Sequence, residues 1–326
     1  MSSDSSVKKT SPKGVILLLL TALIWGSSFV AQSVGMEKIG AFTFNGIRTL
    51  LGAAVLLPYI IIKDRADARK MTEEELKEKQ EKKKRTQLVG IPVSLVFFIA
   101  ANLQQLAFYY STAGKIAFVT SLYMFFVPII GLFIGKKVPL LTWICVVMGF
   151  AGLYFLCIDP KDIGNINKGD LLALACAFFF AVHIRLIERY AGETDGVRLS
   201  AMQFLVAGSL TCIFMFIFEK PEPHDIFAAR VPILYAGIMS CGLAYTFQIA
   251  GQKYTEATIA SLLLCMESVF AVLAAGIILH ESLSGREIIG CVIMFAAVIL
   301  SQLSELSLFN HGNTEGPRSE ADRNDG

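Results

Sequence analysis

The sequence predicts an all-α integral membrane protein in which ten transmembrane helices form two inverted repeats of five. Three observations carry this expectation. The first is composition: 54% of the 326 residues are hydrophobic and 17% are charged, against about 25% charged in a typical soluble chain. The second is distribution. Charges collect at the termini and in short gaps, and the stretches between them are apolar runs of about 20 residues, the length a helix needs to cross a bilayer. The third is internal repetition. Gly14 to Leu156 and Gly169 to Leu303 each read as five such runs, and an odd number of spans per copy turns the second copy over. Inverted repeats of this kind point to a secondary transporter whose substrate path lies where the copies meet.

The spans fall near 14–34, 43–62, 88–111, 114–135, 139–158, 169–189, 199–218, 231–252, 256–279 and 286–304. They divide the chain into an N-terminal arm (1–13), a first repeat (14–158), a linker (159–168), a second repeat (169–304) and a polar tail (305–326). Lys8, Lys9 and Lys13 before an apolar run resemble a signal peptide, but the run to Val34 exceeds the 7–15 or so residues of a signal core, so it reads as the first span. Of the 29 Lys and Arg, 20 fall on the side of the termini and 8 on the other, with Arg185 inside a span. That bias places both termini in the cytoplasm and the protein in the plasma (inner) membrane as a multi-pass chain. Ten of these cations lie in the charged gap 63–87. Glu75/Lys79 and Glu78/Lys82 sit there at helical spacing, which suits a short solvated helix. The gap reads as a soluble connector, with anionic-lipid contact through Lys82–Arg85 as the alternative. All 7 Cys fall in apolar runs without a C-x-x-C pair and read as small buried hydrophobes.

The repeat is visible residue by residue. Laying Gly14 on Gly169 places Trp25 on Phe180 and Arg48 on Gln203; laying Gln104 on Gln248 places Tyr110 on Tyr254, Ala113 on Ala257 and Tyr123 on Glu267. The two registers differ because the first copy carries the charged insertion. Three regions then carry a family resemblance. Trp25-Gly26-Ser27-Ser28-Phe29 with Arg48 resembles the start of an EamA domain. Ala113-Gly114-Lys115, Thr120-Ser121-Leu122-Tyr123 and Val127-Pro128 resemble its fourth span, and Thr255-Glu256-Ala257, Met266-Glu267-Ser268 and His280-Glu281-Ser282 the end of a second copy. The resemblance covers residues 14 to 304. It implies the drug/metabolite transporter superfamily, with two EamA-type five-helix repeats around a central cavity. The chain departs from the pattern at Ser268, where the family has Pro, and at Arg185.

Polar residues inside spans are costly and tend to face a bundle interior or a wet cavity. Glu267 sits in mid-span and admits proton coupling, recognition of a cationic group, or a structural role. Arg48, one turn into the second span beside Asn45, can snorkel to the outer face or hold a carboxylate or phosphate; its counterpart is Gln203. In the sixth span His183 is deep and can change charge near neutral pH, or pack as a neutral ring. Arg185 and Glu188 form an i,i+3 pair, with Glu188 at the interface. Three stripes recur at helical spacing: Trp25, Ser28 and Gln32; Asn102, Gln105 and Tyr109; and Tyr245, Gln248 and Gln252. With Tyr123 they are candidates to line a cavity, against the alternative of helix-to-helix bonding. Pro128 frees a backbone carbonyl and is a gating candidate; Gly131-x-x-x-Gly135 reads as close helix packing.

Several chemistries lack support. Gly131–Lys137 has the wrong spacing for a phosphate-binding loop, and His280-Glu281 lacks the second His of a zinc protease. The reading is a non-enzymatic transporter without cofactor or metal, in contact with the bilayer and a small-molecule substrate and with no nucleic-acid surface. Monomer and homodimer remain open. The expected cargo is a small polar or amphipathic metabolite (amino acid, nucleobase or drug-like). Export is favoured on resemblance, and proton coupling and facilitated diffusion are both compatible. A non-transporting receptor or scaffold, or an intramembrane enzyme, is the alternative.

Overall fold

The computed structural model of the protein describes residues 11–158, 166–278 and 284–314. Among them all regular structure is helical, and ten helices are long and apolar enough to cross a membrane. In the first half α1 (Pro12–Met36), α2 (Ala41–Lys70) and α3 (Glu73–Ala107) are followed by a broken fourth span, α4 (Ala113–Thr120) and α5 (Tyr123–Phe133), and by α6 (Leu140–Cys157). In the second half α7 (Lys168–Tyr190) and α8 (Gly196–Phe218) lead through a short α9 (Pro223–Ala228) to a composite third span. That span is α10 (Arg230–Tyr235), a π-helical stretch over Ala236–Ala244, and α11 (Tyr245–Gln252). The fourth span is again broken, into α12 (Ala257–Leu264) and α13 (Met266–Ile278), and α14 (Gly285–Thr314) closes the fold. The outward faces carry large apolar side chains such as Phe133 (87% exposed), Leu140 (77%) and Phe216 (73%). So much exposed apolar surface suits lipid as the surrounding solvent.

The helix ends follow local chemistry. Ser11 accepts from the Gly14 amide and Pro12 occupies the first turn of α1, where its missing N–H goes unused in any helix. Asn167 and Asp170 form a reciprocal capping box on α7, satisfying two amides that have no partner within the helix.

Pairing of the helices reveals the inverted repeat. Exchanging the halves maps each span onto the one five places on, and the contacts obey the exchange. The pairs α2–α8 and α6–α14 map onto themselves. The pair α1–α13 has its mirror in α5–α7, α3–α7 in α1–α11, and α3–α8 in the packing of α2 on the π-helical stretch. The fourth spans meet at the centre through α12 on α5 and α13 on α4.

Two expectations at the membrane surface are corrected. The gap 63–87 is not a connector with its own short helix: α2 runs on to Lys70 and α3 begins at Glu73. A capping box at Thr72 and Glu75 makes the turn. Glu75 is spent on that cap, so the expected Glu75–Lys79 pair gives way. Lys79 instead bridges Asp64 (2.7 Å) and Asp67 (2.9 Å). Asp64 also pairs with Arg198, Arg85 reaches Glu193 at 2.9 Å, and the expected Glu78–Lys82 pair forms at 2.8 Å. At the other end α14 continues to Thr314, past the boundary expected at 304. Most of the N-terminal arm, linker residues 159–165, the His280-Glu281 motif and the tail beyond 314 lie outside the described residues.

Glycine permits a close crossing of α6 and α14. A Cβ on Gly290 of α14 would lie 2.7 Å from the Leu156 amide and 2.8 Å from the Gly152 carbonyl of α6, so the two backbones touch where small residues permit it. Gly290→Leu is expected to separate α6 from α14 and destabilise the protein by about 1–3 kcal/mol, the usual cost of overpacking. Denaturant titration in detergent would read the change.

Candidate functional site

The site begins at the two broken spans. α4 stops at Thr120 and α12 at Leu264, which are equivalent positions when Gln104 is laid on Gln248. Each break is a tightened turn with i→i−3 bonds, Leu122 N–H to Val119 O and Ser268 N–H to Cys265 O. The turns face each other across the repeat axis. The Tyr123 hydroxyl donates to Glu267 Oε1 at 3.2 Å, the Ser121 and Ser268 hydroxyls lie 3.3 Å apart, and the Cys265 thiol donates to the Ser121 carbonyl at 3.5 Å. The repeat counterparts Tyr123 and Glu267 are thus bonded to one another.

A cavity lies beside this junction. Trp25, Ser28, Phe29 and Gln32 of α1, Arg48 of α2 and Gln104 of α3 form one part of its wall. Thr120, Tyr123 and Glu267 at the breaks, Phe180 and Ile184 of α7, and Ser240, Tyr245 and Gln248 of the eighth span form the rest. About 30 Å³ is free for water centres, room for about two waters rather than a metabolite. The wall obeys the repeat: Trp25 and Phe180, Phe29 and Ile184, Gln104 and Gln248, and Tyr123 and Glu267 are counterparts. Its polar atoms include Trp25 Nε1, Ser28 Oγ, Gln32 Oε1, Thr120 Oγ1 and Gln248 Oε1, buried with no hydrogen-bond partner in the protein. Buried polar groups nearly always have partners, so a cluster of unpartnered ones is suited to a polar solute.

Arg48 is buried at 5% exposure and does not snorkel. Its Nε donates to Asn45 Oδ1 at 2.9 Å, Asn45 donates to Asn102 Oδ1 at 3.0 Å, and Asn102 donates to Thr211 Oγ1 at 2.9 Å. This relay across α2, α3 and α8 fixes the guanidinium, which also lies 5.6 Å from the Phe44 ring centre.

The sequence-predicted residues divide. Trp25, Ser28, Gln32, Arg48, Tyr123, Tyr245, Gln248 and Glu267 come together at the cavity. The α3 stripe does not: Asn102 belongs to the relay with Asn45, Gln105 is buried outside the wall, and Tyr109, half-exposed, accepts from the Ala41 amide. Its neighbour Gln104 faces the cavity instead, because α3 packs on both α7 and α8 and a helical period cannot say which stripe faces the axis. His183 is fully buried away from the wall, bonded to Gln203 Oε1 at 3.0 Å and ringed by Phe97, Phe180 and Tyr245. Gln252 donates to the Ile184 carbonyl. Gln104, Thr120, Ser240, Phe29, Phe180 and Ile184 were not foreseen. Gln104 and Phe180 had a signal in the repeat, as counterparts of Gln248 and Trp25.

A second polar cluster closes the end of the bundle that carries the termini. Arg185 Nε donates to the Val127 carbonyl at 2.8 Å, its Nη1 pairs with Glu188 at 3.0 Å, and its Nη2 donates to Thr258 Oγ1 at 3.3 Å. Glu188 also pairs with Lys136 at 2.8 Å and accepts from the Ala257 amide at 3.1 Å. The Glu188 side chain, near the end of α7, is largely covered (8% exposed), held by donors from Arg185, Lys136 and Ala257. Gly131 leaves the space that the guanidinium fills, and Pro128 lies between the Val127 carbonyl and that glycine. Glu256, between the spans, has its carboxyl pushed up by burial and then by the charge of Glu188.

Ten spans in inverted repeats, with broken helices meeting at a polar cavity, define a membrane transporter. The chain belongs to the EamA-like transporter family, whose profile matches residues 12–158 and again 167–303. It is similar to an uncharacterized transporter of Archaeoglobus fulgidus, 26% identical over 88% of this chain and 84% of that one. It is also similar to the uncharacterized transporter YoaV of Bacillus subtilis (22%, covering 89% and 96%) and to protein PecM of Dickeya dadantii (25%, covering 72% and 76%). A protein of known crystal structure superposes with a TM-score of 0.72 at 17% identity, over 91% of this chain and 99% of that one, a likeness of fold alone.

Proposed function

We propose that the protein is a secondary transporter that moves small polar or amphipathic solutes by alternating access, with the cavity between the repeats exposed to either side in turn. The observation that carries this reading is the pair of broken fourth spans, whose counterpart residues meet at a buried wall of unpartnered polar atoms. Interrupted helices at a repeat interface near the membrane centre are a recurrent way to build such sites. In this conformation the cavity is too small for a metabolite, so binding requires the halves to move apart. The excess of Lys and Arg on the terminal side supports cytoplasmic termini in a plasma membrane, and the resemblance to family exporters supports outward transport. A receptor or scaffold would bond its central polar groups helix to helix, which the cavity-facing atoms of α1 and α11 do not do.

The test is purified protein in liposomes loaded with a metabolite extract, with and without a pH gradient. Protein-dependent release of specific solutes is expected, and release that follows the gradient would mark proton coupling. Retention of every solute under both conditions would contradict transport.

A further inference from the structure

The broken fourth span is tied to α7 at both of its ends. Away from the termini, Lys115 of α4 pairs with Asp170 of α7 at 2.8 Å, and the Ser111 hydroxyl donates to the same carboxylate at 3.1 Å. At the terminal end α5 meets the Arg185 cluster, through the Val127 carbonyl and through Lys136 just beyond the helix. The break after Thr120 lies between the two ties. We propose a hinge and a latch: α4 stays on α7, and α5 swings about the break when the Arg185 cluster lets go, opening the cavity to the terminal side. The inference rests on the alternating-access reading above.

The latch sits where it can close the path. Tyr123 on the cavity wall and Val127 are one turn apart in α5, about 6 Å along the axis, and Ile184 of the wall adjoins Arg185 in α7. Thr258 of α12 accepts from Nη2 at 3.3 Å, and Glu256 just before α12 lies 3.9 Å from Nη1. Spans four, six and nine thus converge on one guanidinium on the terminal side of the cavity. Such a closure is strong yet reversible. Its charge-assisted bonds hold while the spans are together, and parting the spans returns the charges to water, which offsets part of the loss.

The inverted repeat supplies a comparison within the chain. The counterparts of Arg185, Glu188, Val127, Glu256 and Thr258 are Val30, Ser33, Ala271, Thr112 and Gly114. None of these five carries a charge; His280, the counterpart of Lys136, lies outside the described residues. The equivalent closure at the other end, of α13 on α1 and α4, therefore has no guanidinium at its centre. A bond made in one conformation and lost in the other shifts the population toward the first by its own free energy. The cluster so biases the resting protein toward closure on the terminal side.

The experiment uses the full chain in oriented liposomes, with its native cysteines replaced by alanine and Ser28→Cys as the reporter. Labelling by a membrane-impermeant thiol reagent is timed from each face. The expected result is labelling at least about 10-fold slower from the terminal face than from the other, the size of one charge-assisted bond. Arg185→Gln should speed labelling from the terminal face about 10-fold or more and slow it from the opposite face. Lys136→Met leaves Arg185 in place and breaks a partly exposed pair, so it should do the same by about 3-fold. Lys115→Met, at the pivot, should leave the ratio of the two rates unchanged. Faster labelling of the Arg185→Gln and Lys136→Met variants from both faces would mean a merely loosened bundle and would overturn the latch. Labelling from both faces at an unchanged ratio in these two variants would overturn it while leaving alternating access intact. Labelling from one face only in every variant would remove both.

Discussion

Glu267→Ala is expected to lower the transport rate about 10- to 100-fold at an unchanged yield of folded protein. The carboxylate sits on the cavity wall at the break between α12 and α13, with one protein hydrogen bond, from Tyr123. A bond from a solute cation to such a group is worth about 1.5–3 kcal/mol, and each 1.4 kcal/mol is a factor of ten. Tyr123→Phe removes only the supporting hydroxyl and leaves the carboxylate in place, so its effect should be about tenfold or less. Initial rates of both variants in liposomes check the order. If Tyr123→Phe were as damaging as Glu267→Ala, the carboxylate would act through that hydrogen bond rather than through the solute.

The second large effect is on stability. Arg185→Met is expected to cost about 3 kcal/mol, the scale for removing one member of a buried charge pair. Glu188 would keep Lys136 and the Ala257 amide but lose its closest buried cation, and the Val127 carbonyl and Thr258 hydroxyl would lose a donor. Gly131→Leu should produce the same loss from the opposite side, because its side chain would claim the space of the guanidinium. Lys137→Met, an exposed neighbour, should change stability by no more than about 0.5 kcal/mol. Denaturant titrations of the three variants in detergent make the comparison. An Arg185→Met variant as stable as Lys137→Met would show that the cluster contributes little.

Much of this was legible in the sequence, for particular reasons. Spans are legible because a bilayer demands runs of fixed length and polarity. The stripe Trp25, Ser28 and Gln32 lies on the cavity because α1 packs against the second half along its length, leaving its one polar face for the axis. The stripe of α3 is equally periodic and faces elsewhere, because α3 has neighbours on two sides. There the repeat was the better guide, since the counterpart of Gln248 is Gln104. Arg48 was legible as a charge but not as a buried one, because its relay partners Asn102 and Thr211 come from helices far along the chain. The Arg185–Glu188 pair could be read at i,i+3, whereas Val127, Lys136 and Thr258 join it only through the packing of α5 and α12 on α7. The gap 63–87 misled because its charges resemble a solvated loop, while the Thr72 capping box lets two spans simply run on into water.

Under the proposed mechanism, one cavity on the repeat axis serves both sides of the membrane. The most direct measurement places a single cysteine there, Ser28→Cys in a chain whose native cysteines are replaced by alanine. A membrane-impermeant thiol reagent is then applied to either face of oriented vesicles. Alternating access predicts labelling from both faces, with a transported solute slowing each. Labelling from neither face, or from one face only under every condition, would contradict it.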